Sequence, residues 1–230
     1  MSYKKIGIVV ADDEEYAPLL AAANKLGALK YTGFLSRDGI IFKIGNTEVV
    51  ALYSGVGKVN SAAAAMHLVD IGCDALLNYG LSGGINNAKR GEIIFPERFI
   101  EHDFFIPING YKPCEKPLQK YIYEADKTLL EKASLCGFAV KGTAATGDRF
   151  INNDSERAML SESFGAVSCD MESAAIAYVC DFAGVPFAAM RKISDNAGDN
   201  AEIAYRELNR FCGSELIEVF MQYLCKLCGE

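Results

Sequence analysis

No apolar run in this chain approaches the ~20 residues that carry a helix across a bilayer, so a helical membrane span is excluded. Positive charge is in deficit: 23 Lys and Arg stand against 30 Asp and Glu, for a net charge of −7. A surface of that sign repels phosphate backbones and anionic lipid, and neither nucleic acid nor a membrane is expected as partner. The opening Met1-Ser2-Tyr3-Lys4-Lys5 lacks a cleavable apolar region and runs into a strand-like segment, so the expected location is the cytoplasm. Histidine is nearly absent, with two residues, and only Cys225 and Cys228 form a CxxC. No second CxxC or His pair exists to complete a zinc site, and no metal or cofactor is expected. The eight cysteines therefore read as reduced thiols packed like small apolar residues. A Walker loop is missing, and Gly55-Val56-Gly57 lacks the third glycine of the dinucleotide fingerprint. With no repeat, low-complexity tract or linker, residues 1–230 are expected to form one domain.

What is present is an alternation of apolar strands and amphipathic helices. Residues 6–11, 40–42, 49–53, 75–79, 93–100, 139–145 and 185–190 read as strands. Helices are expected from an acidic cap at 12–15 to about Leu26, then at 58–71, 125–135, 157–163 and 170–182. Residues 109–120, with two prolines, read as a loop. Leu208, Phe211, Cys212, Glu215, Val219, Phe220, Tyr223 and Leu227 mark a long C-terminal helix. The fold class is α/β.

Two segments carry the chemistry. Cys169-Asp170-Met171-Glu172-Ser173-Ala174-Ala175 opens an alanine-rich helix with an acidic pair, placing Glu172 in a first turn where the helix dipole favours its charge. Met190-Arg191-Lys192-Ile193-Ser194-Asp195-Asn196 ends an apolar strand in polar residues, where open α/β sheets bind ligands. One carboxylate could meet a sugar and the other a base. Ser54-Gly55-Val56-Gly57-Lys58 and Gly80-Leu81-Ser82-Gly83-Gly84 follow strands, and their glycines let backbone amides approach a ligand.

These segments, in this order, together with Ile6-Gly7-Ile8-Val9-Val10-Ala11, Glu14-Glu15 and Thr146-Gly147-Asp148-Arg149-Phe150-Ile151, resemble the nucleoside phosphorylase and nucleosidase superfamily. The resemblance covers nearly the whole chain and is strongest to methylthioadenosine/S-adenosylhomocysteine nucleosidases. It implies a three-layer α/β/α fold around a mixed, partly barrel-like sheet, a homodimer, and hydrolysis of the N-glycosidic bond of 5′-substituted adenosines. By the same resemblance Asp195 protonates the purine at N7, and Glu15, with Arg191 nearby, activates the water. Glu172 clamps the ribose hydroxyls with Met171 beside the sugar. Phe150 stacks on the purine and Ile151 reads its edge; Val56, Gly83 and Ser194 complete the pocket and Tyr205 covers it. His102 is read as structural, and Phe105 and Ile106 as lining a neighbouring subunit's 5′ pocket.

Three positions depart from the family pattern. Leu81 replaces a hydroxyl, Asp12 replaces an apolar residue facing the nucleoside, and Arg149 replaces a small residue beside the purine loop. Asp12 also has a second reading as a helix cap, with Glu15 at capping-box spacing. Two other functions stay open: a phosphorylase of the same fold, which the acidic segment 12–15 disfavours, and a non-catalytic nucleoside-binding protein.

Overall fold

The computed structural model describes residues 3–106, 108, 110–198 and 201–230, with the side chains of 203–214 outside the description. In chain order the elements are β1 (Lys5–Val10), α1 (Asp13–Asn24), β2 (Leu29–Tyr31), β3 (Gly39–Ile44), β4 (Thr47–Tyr53), α2 (Lys58–Asp70), β5 (Ala75–Gly84), β6 (Ile93–Phe95), β7 (Arg98–Glu101), β8 (Ile122–Glu124), α3 (Lys127–Leu135), β9 (Ala139–Val140), β10 (Thr143–Thr146), α4 (Asp154–Phe164), β11 (Ala166–Asp170), α5 (Ser173–Ala183), β12 (Phe187–Asp195) and α6 (Ala201–Cys228).

The strands join in one mixed sheet of order β2-β3-β4-β1-β5-β11-β10-β7-β8. β5 is its branch point. It pairs in parallel with β1 and β12, and its last residues turn to pair antiparallel with β11. A strand with three neighbours cannot lie in a flat layer, and this is the origin of the partly barrel-like curvature. β12 continues the second arm through β6 to β9.

Helices cover both faces, because β1 is apolar on both. Ile6, Ile8 and Val10 pack with Tyr16 and Leu19 of α1, Leu129 of α3 and Phe220 and Leu224 of α6. Val9 belongs to the opposite cluster with Ala64 and Leu68 of α2 and Ala174 and Ile176 of α5. Period-two alternation thus feeds two cores, giving three layers. Gly7 leaves room for side chains of β5 and α2: a Cβ there would stand 2.4 Å from Leu76 and 3.0 Å from Leu68.

Several expectations need correction. β5 does not stop at Tyr79 but runs through the glycine segment to Gly84, since those glycines serve pairing with β11 and β12. β12 likewise runs through Arg191 to Asp195. Residues 93–100 and 139–145 each divide into two short strands. Asp170 ends a strand instead of opening a helix, and Glu172 is the N-cap residue of α5. β2, β8 and β11 went unread because each is short and draws its stability from pairing with neighbours.

Candidate active site

Asp195 is aimed by an irregularity. The pairing of β12 with β5 runs in step from Phe187↔Leu76 to Ile193↔Ser82, then slips so that Asp195 faces Gly83. Such a slip re-aims a side chain out of the regular alternation. Gly83 leaves the space: a Cβ there would stand 3.2 Å from Asp195 Oδ1 and 2.9 Å from Cys169 Sγ. Ser194 Oγ donates to Asp195 Oδ2 at 2.6 Å and the Ala197 N–H to Oδ1 at 2.7 Å. Burial pushes the carboxyl above its usual range against these bonds.

Glu172 is fixed by two helix starts. It caps α5 in sequence, while its Oε1 accepts the Gly57 N–H at 3.0 Å from the N-terminus of α2. The amide dipole acting on it therefore comes partly from a helix remote in sequence. Gly57 has φ +102°, a conformation glycine adopts freely. Burial raises the Glu172 carboxyl to about 6, with Arg191 opposing.

Arg191 sits behind Glu172, outside the cavity lining. Its guanidinium is buried, 3.2 Å from Asp170 Oδ2 and 3.8 Å from Glu172 Oε2, and it donates to Ser173 Oγ and Asn78 Oδ1. Asp170 in turn accepts from the Glu172 and Ser173 N–H groups at 3.0 Å and from Thr146 Oγ1 at 2.7 Å. Burial would raise the Asp170 carboxyl, but Arg191 and the Ser173 and Thr146 hydroxyls outweigh it and hold it low. Sequence reasoning missed Asp170, Ser173 and Asn78 as holders of Arg191. The Asp-x-x-Ser spacing that lets Asp170 receive the Ser173 N–H was the available signal.

Glu15 belongs to α1 yet reaches β5. Its Oε1 accepts the Leu81 N–H at 2.7 Å, and a Cβ on Gly80 would stand 2.6 Å away. Burial pushes its carboxyl up to about 8, with the Leu81 N–H and Arg191 opposing. The capping box therefore does not form: Asp12 caps α1 through the Glu14 N–H at 2.8 Å, and Glu15 is released to the cavity.

Residues 147–150, expected beside the base, are held from outside. The Asp148 N–H donates to Asp103 Oδ2 at 2.9 Å, and Asp148 Oδ1 accepts the Lys58 N–H at 2.8 Å. His102 is not a lining residue; its ring stands where a Cβ on Gly147 would be, 2.4 Å from Nε2. Arg149 is exposed and paired with Glu156. Leu81 packs in the cluster containing Tyr79 and Phe220, while the Ser82 hydroxyl is buried in the cavity wall without a hydrogen-bond partner among the described residues.

Together these elements enclose a cavity of about 720 Å³, mouth included. It is lined by Asp12, Glu15, Val56, Gly83, Phe150, Ile151, Met171, Glu172, Ser194 and Asp195 among others. Of the expected site residues, these nine besides Asp12 meet there. Tyr205 lies outside the described residues. Among the described residues the lining has five acidic side chains (Asp12, Glu15, Asp170, Glu172, Asp195) and one basic, Arg149.

The phosphorylase superfamily profile matches residues 5–227. The chain belongs to that superfamily. An aminodeoxyfutalosine nucleosidase of Campylobacter jejuni is 32% identical over 210 residues, covering 88% of this chain and 90% of that protein. A 5′-methylthioadenosine/S-adenosylhomocysteine nucleosidase of Exiguobacterium is 32% identical over 216 residues, again covering 88% and 90%. Among solved structures, the S-adenosylhomocysteine nucleosidase of Streptococcus pyogenes in complex with 5-methylthiotubericidin superposes with a TM-score of 0.90 at 28% identity, covering 99% of this chain and 98% of that one.

Proposed function

We propose that this superfamily member hydrolyses the N-glycosidic bond of purine nucleosides, 5′-substituted adenosines in particular, releasing free purine. The observation that carries the reading is three carboxyl groups converging on one cavity in three different environments. The curated relatives named above are nucleosidases of such nucleosides.

Each group has a separate task. Asp195, raised by burial, suits the acid: its proton goes to N7 as the C1′–N9 electron pair moves onto the purine. Glu172 accepts hydrogen bonds from the ribose hydroxyls while C1′ gains oxocarbenium character. Glu15, tuned to about 8, takes a proton from the water that attacks C1′. Arg191 acts as a positioning residue through Glu172 and Asp170. Phe150 and Ile151 bind the base, Met171 the sugar face, and Val56, Gly83 and Ser194 the remaining edge.

Phosphorolysis fits less well. Among the described residues, five acidic side chains against one arginine paired with Glu156 form a poor phosphate site. The deciding assay offers a panel of adenosine derivatives in buffer without phosphate. Free purine and free sugar are expected. A requirement for phosphate, with a sugar 1-phosphate as product, overturns the reading. A homodimer in the cytoplasm is the accompanying proposal, as is a place in methionine salvage. Exposed Val59, Phe105, Ile108 and Phe182 support the dimer, and the net charge of −7 supports the lack of a nucleic-acid or membrane partner.

A further inference from the structure

The cavity wall carries one carboxylate that the reaction does not use. Asp12 lines the cavity and caps α1 at once. Its Oδ1 accepts the Glu14 N–H at 2.8 Å, whereas Oδ2 accepts no protein hydrogen bond among the described residues. Arg149, the one cation of the lining among the described residues, is engaged by Glu156.

Sheet order says which end of a nucleoside this oxygen meets. Across the sheet the strands run β12, β5, β1, β4. Asp195 closes β12, Glu15 lies against the glycine segment of β5, and Asp12 follows β1. A nucleoside with its base on Asp195 and its C1′ near Glu15 therefore extends the far side of its sugar, C5′, toward the end of β1. An alkylthio group there would leave Oδ2 dehydrated and without a donor, which is costly, whereas a donor or a cation would satisfy it.

On the nucleoside reading given above, we propose that Asp12 selects substrates whose 5′ substituent carries a hydrogen-bond donor, an ammonium above all, over those with a plain alkylthio group. Asp12 is thus a specificity residue; its charge also helps to raise the Glu15 carboxyl, an influence common to both kinds of substrate that cancels in their ratio.

The test compares 5′-amino-5′-deoxyadenosine with 5′-methylthioadenosine on the wild-type chain and on Asp12→Asn, which keeps a side-chain oxygen for the cap. The wild type is expected to favour the amino nucleoside in kcat/KM. The Asn variant is expected to lower the amino-to-methylthio ratio about tenfold or more, with an unchanged Tm, as loss of a charge-assisted hydrogen bond predicts. A ratio within twofold of wild type, or a wild type that favours the methylthio nucleoside, overturns the proposal. If neither nucleoside yields purine, the hydrolase reading fails by itself, and the same ratio measured on Kd by calorimetry decides the role of Asp12.

Discussion

The cavity has two walls built on different terms. One is made of strand ends, β5, β11 and β12, where Asp170, Glu172, Arg191, Ser194 and Asp195 are buried and hydrogen-bonded to one another or to backbone. The other is made of turns: the β1–α1 junction, the segment after β4, and residues 148–150. There Val56 is 46% and Phe150 43% exposed, and the Arg149 side chain 61%. The first wall is tightly constrained, because each of these five polar groups loses a partner if it moves. The second can vary without unfolding anything. On the proposed mechanism, bond chemistry falls to the strand wall and substrate choice to the turn wall.

The comparison breaks most visibly at Asp195. Asp195→Asn keeps the shape and the acceptor but cannot deliver a proton, so kcat should fall by about 10²–10⁴-fold with Tm nearly unchanged. A variant within threefold of wild type would remove Asp195 from the chemistry. Arg191→Met probes the same wall from behind. It leaves Asp170 and Glu172 buried without their counter-charge, and unfolding by denaturant should show a loss of about 3–5 kcal/mol along with the activity. Stability close to wild type would mean that the pair is held by its other hydrogen bonds alone.

Glu15 stands where the walls meet, and pH separates its roles. As the base it must be ionised while Asp195 stays protonated, so kcat/KM should follow a bell whose limbs belong to this pair, and Glu15→Gln should lose one of the two limbs. Its folded value lies above the unfolded one, so the folded state holds the proton more tightly. Its contribution to stability is full below the ordinary glutamate range and is lost as pH rises through about 8. A rate profile flat from about pH 6 to about pH 9 would deny Glu15 the base role. The smallest effect belongs to the turn wall. Arg149→Ala removes an exposed ion pair and should change stability by less than about 0.5 kcal/mol, with kcat altered less than KM. A large fall in kcat would move Arg149 into the chemical step.

Much of the strand wall was legible from residue order. An apolar strand ending in Ser194-Asp195 and an acidic pair before an alanine-rich helix mark a carboxylate site, since strand ends and helix starts are where α/β sheets leave polar groups unpaired. The α/β class followed likewise from the alternation of period-two and helical patterns. The Arg191 environment was not legible. Asn78, Asp170 and Ser173 reach it from β5, the end of β11 and the start of α5, and no local pattern ties them together.

The sequence by itself determined that this chain is α/β, acidic and free of a helical membrane span, and that carboxylates close its strands and open its helices. Only the tertiary structure decided what those carboxylates face. Whether Glu15 caps its own helix or leaves it for the cavity depends on the Leu81 N–H, and that group is presented because β5 continues past Tyr79. Whether Glu172 answers to its own helix or another depends on Gly57, 115 residues away in sequence. Local propensity acts over a few residues, whereas burial and a shared hydrogen bond act through space, and the tuning of each acid here belongs to the second kind.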